Sequence, residues 1–171
     1  GMIMVPRKIA SGFYKSFSQL IHDKFVYVDK TKAACLMAER EECYLLTRPR
    51  RMGKSTMVST LEYLFSKGTV GTEGLYCYDH WPLTERYFVF KFVFSLFDIT
   101  SIDSLRDKFR SELKNYAGYF GVEISQDDPI HVCFEQLVAQ SLKKLSDKSF
   151  LADHPELQDG DQPLCTDKVV L

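Results

Sequence analysis

Apolar positions along this chain recur with two different spacings, and each change of spacing marks a change of element. Residues 43–47 form a short apolar run, as a strand requires. Met57, Leu61, Leu64 and Phe65 follow on one helical face, which predicts a helix from Gly53 to about Lys67 with Gly68 as its stop. Residues 87–97 are almost continuously apolar and predict a strand covered by helices on both faces. Ser101-Ile102-Asp103 then opens a helix that buries Leu105, Phe109, Leu113 and Tyr116, runs to about Tyr119 and closes at Gly118 and Gly121. Asp128-Pro129 puts cap and first-turn proline in order for another helix to about Leu145.

The remaining segments read less sharply. Phe13, Phe17 and Leu20 are spaced for one side of a short helix or ordered arm over 11–23, and 25–28 is extended. A helix with Thr31 as cap carries Ala34, Leu36 and Met37 to about Arg40. Gly71, Gly74 and Pro82 make 69–86 a loop with a brief turn, and 150–167, rich in carboxylates and holding Pro155 and Pro163, is expected to be a mobile loop. Residues 169–171 would begin a further strand. Strands alternating with helices predict an α/β fold with a parallel sheet, and any ligand then belongs at the carboxyl ends of its strands.

The chemistry concentrates just there, in Leu45-Leu46-Thr47-Arg48-Pro49-Arg50-Arg51-Met52-Gly53-Lys54-Ser55-Thr56. Strand, basic turn and Gly-Lys-Ser at a helix start is the order of a nucleoside-triphosphate loop. Gly53 lets the backbone approach a phosphate, and the amides from Met52 to Thr56 point at the anion together with the helix dipole. Lys54 would reach the β- and γ-phosphates, Ser55 would ligate magnesium, and Arg50 or Arg51 would add charge. The general motif has a glycine where Arg48 stands, and Pro49 follows, so this loop turns differently. The plainer reading is a basic loop opening an ordinary helix.

Thr47 to Ser55 resembles the variant phosphate loop of the bacterial predicted AAA-ATPase-like family. Phe25-Val26-Tyr27-Val28-Asp29-Lys30-Thr31 is similar to that family's "YVDKT" segment, and Ile9-Ala10-Ser11-Gly12-Phe13-Tyr14 and Phe88-Val89-Phe90-Lys91-Phe92 fit the same order. The similarity is densest from Phe13 to Phe94. It implies ATP and Mg2+ as ligands and a single AAA-like domain over 1–171, with 1–31 as an N-terminal arm. In that family a strand starting much like Lys168-Val169-Val170-Leu171 leads to the Walker B Asp-Glu pair, and a nuclease-like domain follows. On the resemblance, the chain is therefore an N-terminal portion truncated before Walker B, with an incomplete P-loop NTPase parallel sheet flanked by helices. Such a chain is expected to hydrolyse ATP poorly by itself, and its open sheet edge would favour self-association. Gly1 ahead of Met2 reads as a tag remnant.

Composition narrows the choice. The net charge of −1, with 45% hydrophobic and 26% charged residues, suits a cytoplasmic globular domain and argues against a general nucleic-acid or membrane-surface binder. Basic charge gathers at Arg48, Arg50, Arg51 and Lys54, which suits a small polyanion. Cys35, Cys43, Cys77, Cys133 and Cys165 are widely spaced and read as reduced core residues, without zinc spacing. No leader or membrane-spanning run is read. Lys91 interrupts its apolar run and should snorkel or meet a carboxylate. Asp98, at a strand end, reads as a terminator or a magnesium contact. Asp29 and Thr31 belong near the nucleotide or simply start a helix. Asp127-Asp128 is a helix start, and His22, His80, His131 and His154 read as structural or exposed. The competing functional reading is a non-catalytic interaction fragment that dimerises or binds a partner through the open edge.

Overall fold

A computed structural model describes residues 3–7, 31–40, 44–45, 54–95 and 99–171 of the chain. The elements are β1 (Ile3–Arg7), α1 (Thr31–Arg40), β2 (Tyr44–Leu45), α2 (Lys54–Lys67), the one-turn α3 (Cys77–His80), β3 (Phe92–Ser95), α4 (Ile102–Phe120), α5 (Ile130–Leu145), α6 (Lys148–Ala152) and a 3-10 turn (Pro155–Gln158). The expected α/β fold, a parallel P-loop sheet flanked by helices, needs correction, because the described residues are mainly helical. Among the described residues, strand structure is confined to pieces of five, two and four residues, parallel and in the order β2-β1-β3.

The apolar run 87–97 explains much of the difference. Among its described residues, Phe92–Ser95 pairs as a strand, with Met4 opposite Phe92 and Arg7 opposite Ser95. Upstream, the backbone groups find scattered partners. The amide of Tyr87 donates to the Phe65 carbonyl, that of Phe90 to Val170, and that of Lys91 to the Tyr116 hydroxyl. The side chains of this run fill a core made by helices. Phe90 and Phe92 are fully buried against Leu113, Ala117 and Phe120 of α4 and Cys133, Leu137 and Leu145 of α5.

The helices form where periodicity puts them, though α5 has Pro129 at its N-cap, with no side-chain cap bond, where Asp128 was expected as cap and Pro129 in the first turn. Ser101 accepts the Ser104 amide, and Ser104 Oγ accepts the Ser101 amide, so α4 opens on a reciprocal serine box. It closes on Gly121 in the left-handed region (φ 65°), a C-terminal position suited to glycine. Leu105, expected inside, is 37% exposed. α5 follows Pro129 and buries Cys133, Leu137, Ser141 and Leu145, four residues apart. Residues 150–167, expected as a loop, hold the end of α6, which Asp147 caps at Ser149, and the 3-10 turn. Val170, expected to begin a strand, makes one parallel bridge to Val89.

A second core joins α1 to α2. Ala34, Cys35 and Ala38 are buried against Met57, Leu61, Leu64 and Phe65, with Cys77 and Val170 beside them. Small residues on α1 let the larger α2 side chains reach in. Gly68 ends α2 at φ 72°, with its amide donating to the Leu64 carbonyl, as expected for that glycine. The Thr31 hydroxyl, expected as a cap, accepts the amide of Cys77 and so ties α1 to α3. The cysteines in the described residues, Cys35, Cys77, Cys133 and Cys165, are buried, and burial pushes the Cys165 thiol up to about 11.

Candidate functional site

Of the residues expected to hold a triphosphate, Arg50, Arg51, Met52 and Gly53 lie outside the described residues. Lys54, Ser55 and Thr56 form the first turn of α2, which begins at Lys54 rather than Gly53. The first amides of a helix have no carbonyl partner within it, so those at this end of α2 need acceptors from outside the helix. The short strand β2 precedes it, parallel to β1. Asp29, Lys30, Cys43, His22 and Asp98 also fall outside the described residues. Among the described residues no cluster of His, Cys, Asp and Glu is arranged to hold a metal.

The far end of α2 is described in more detail. Lys91 meets a carboxylate as its position suggested: its Nζ is 2.8 Å from Glu62, and both side chains are close to half exposed. Lys67, in the last turn, is 2.7 Å from Asp159, and that contact holds the Asp159 carboxyl below the usual range. Between them sits Arg86, at the end of the segment 69–86 expected as a loop. It is 4% exposed. Its Nε donates to the Gln162 carbonyl at 2.7 Å, and its Nη1 to the carbonyls of Leu157 at 2.8 Å, Asp159 at 3.3 Å and Ser66 at 3.4 Å. Its own amide and carbonyl pair with Pro163 and Cys165. One guanidinium thus gathers the end of α2 and the 157–165 segment. The sequence signal was a lone arginine at the entrance of an apolar run.

A cleft of about 450 Å3 opens beside this arginine. Phe88, Tyr116 and Tyr119 form its aromatic wall, with Phe88 6.1 Å and 5.8 Å from the two tyrosine rings. Glu62, Glu112 and Glu156 line it too. Tyr119 donates to Glu156 at 2.6 Å; burial and this carboxylate raise the phenol's pKa, and the same bond lowers that of Glu156. Burial, only partly offset by Asp159, holds the Arg86 guanidinium below its ordinary value.

The other histidines in view act locally. His80 stacks on Tyr76 at 4.0 Å and His154 on Phe150 at 4.0 Å, each with Nδ1 on a carbonyl one turn back. His131 is exposed at the start of α5. Among the described residues, no helix is long and apolar enough to cross a membrane.

Comparison with known proteins gives the chain its family. A family model described as "Predicted AAA-ATPase" matches residues 13–153. The uncharacterized protein in the vnfD 5′ region of Azotobacter chroococcum mcd 1 is 31% identical over 119 residues, which cover 70% of this chain and 23% of that protein. The chain therefore spans about a quarter of that relative's length. No solved structure matches it. With the family match running from the N-terminal segment through α6, the chain belongs to the predicted AAA-ATPase family.

Proposed function

We propose that this chain binds ATP with Mg2+ through the loop from Arg50 to Thr56. The observation that carries the reading is the coincidence of two boundaries: α2 opens on Lys54, within Gly-Lys-Ser, and a short parallel strand lies ahead of it. Family membership supports a nucleotide ligand in general. Lys54 supplies charge to the outer phosphates, Ser55 a hydroxyl to magnesium, and the amides from Met52 to Thr56 a cradle, with Arg50 or Arg51 contributing positive charge. Magnesium, when bound, neutralises phosphate charge.

Calorimetric titration with Mg-ATP tests the proposal, run on the chain and on Lys54→Ala. The expected result is saturable binding that is lost in the variant while its thermal midpoint stays within a few degrees. Equal binding by both proteins, or none by either, overturns it.

A further inference from the structure

Arg86 poses an electrostatic problem. A guanidinium that is 4% exposed has lost most of its hydration, and in folded proteins such a charge ordinarily meets a carboxylate. Here four carbonyls take the Nε and Nη1 hydrogens, and Asp159, the nearby acid, is paired with Lys67. Among the described residues, no group accepts from Nη2. Arg86 also lines the 450 Å3 cleft, whose volume lies within the roughly 300–1,000 Å3 typical of small-molecule sites. Asp159 offsets that burial only in part, and an anionic group entering the cleft would add counter-charge through a charge-assisted hydrogen bond.

The rest of the lining selects among anions. Glu62, Glu112 and Glu156 would repel a phosphate or a triphosphate, and Lys67, which also lines the cleft, is taken up by Asp159. Lys91 offsets Glu62, whereas Glu156 is held by a neutral phenol, and among the described residues the ion pair of Glu112 is with Lys108 at 3.9 Å. A monoanion is therefore tolerated best when its other end carries a positive charge. The Phe88, Tyr116 and Tyr119 rings suit a flat apolar body or a cation over a ring face.

We propose that this cleft is a second binding site for a small zwitterion of the amino-acid type with a flat side chain, its carboxylate on Arg86 and its ammonium toward Glu112 and Glu156. The site stands about 18 Å along α2 from Lys54, from the rise of 1.5 Å per residue. It does not depend on the nucleotide reading.

L-Phenylalanine is the probe, titrated calorimetrically into the whole chain, with phenethylamine lacking the carboxylate and 3-phenylpropionate lacking the ammonium. Saturable L-phenylalanine binding is expected, with either truncated probe about tenfold weaker, the scale of one charge-assisted contact. Arg86→Lys, checked for folding by circular dichroism, should lose about tenfold in L-phenylalanine affinity. Glu112→Gln changes a surface carboxylate and should narrow the preference for L-phenylalanine over 3-phenylpropionate even if the Arg86 variant fails to fold. Lys54→Ala should leave L-phenylalanine binding unchanged, which separates this site from the nucleotide loop. Four results each overturn the proposal: no saturation, phenethylamine binding as tightly as L-phenylalanine, a folded Arg86→Lys variant that binds normally, or inorganic phosphate competing as well as 3-phenylpropionate.

Discussion

The two cores of this protein are built on opposite plans. Around α4 and α5 the core is large and aromatic: Phe90, Phe92 and Phe120 are fully buried, and Phe92 stacks on Phe109 at 4.8 Å. Between α1 and α2 it is close and small-sided, with Ala34, Cys35 and Ala38 against Leu61 and Leu64. The first takes its stability mainly from apolar area. The second adds polar ties from distant segments, namely the Thr31 hydroxyl to Cys77, Lys67 to Asp159 and Arg86 to 157–162. The helix carrying Lys54 belongs to the second core. Its far end is thus held by the chain's last third.

The sharpest way to test the contrast is to remove volume from one core and add it to the other. Phe90→Ala should cost about 3–5 kcal/mol, the usual range for a buried phenylalanine, read from urea unfolding. Ala38→Leu should cost about 1–3 kcal/mol by overpacking the α1–α2 seam. If Ala38→Leu were neutral or stabilising, the seam would be loosely packed and the contrast would fail.

Gly160 probes the polar ties next. Its φ is 145°, and a Cβ there would lie 2.5 Å from Arg86 Cδ and 3.0 Å from the Lys67 carbonyl oxygen. Gly160→Ala should cost about 1–3 kcal/mol in thermal unfolding, through strain and displacement of the arginine. A cost near zero would mean that the 157–162 segment can move off α2 freely.

These plans also explain what could be read in the sequence. α4, α5 and most of α2 were legible because each carries an apolar stripe at helical spacing with a recognisable end: Ser101 and Gly121, Pro129, Gly68. The run 87–97 misled because continuous hydrophobicity says that a segment is buried but not what pairs with its backbone. Helical neighbours bury Phe90 and partly cover Phe88, and long-range partners such as Tyr116 and Val170 take the backbone bonds. The sequence likewise showed Lys54 at a helix start. Arg86 was hidden, because all its side-chain acceptors but Ser66 lie more than seventy residues away, and all are carbonyls, which leave no trace in side-chain identity.

The smallest effect lies where the cores meet the surface, at Tyr119 and Glu156. The phenol donates to a fully exposed carboxylate, so Glu156 titrates below its ordinary range and Tyr119 above its own. For Glu156 the folded value is the depressed one, so its contribution is present at neutral pH and disappears as pH falls through that folded value. For Tyr119 the folded value is the raised one, so its contribution is complete below the ordinary tyrosine range and is lost as alkaline pH passes the folded value. Tyr119→Phe removes the donor and leaves the ring in the aromatic wall. Carbon-13 NMR of the Glu156 carboxyl should then show its midpoint moving upward toward an ordinary glutamate, while Asp159, held by Lys67, keeps its depressed midpoint. An unmoved Glu156 midpoint would assign the depression to something other than the phenol, and Tyr119 would then serve the cleft through its ring alone.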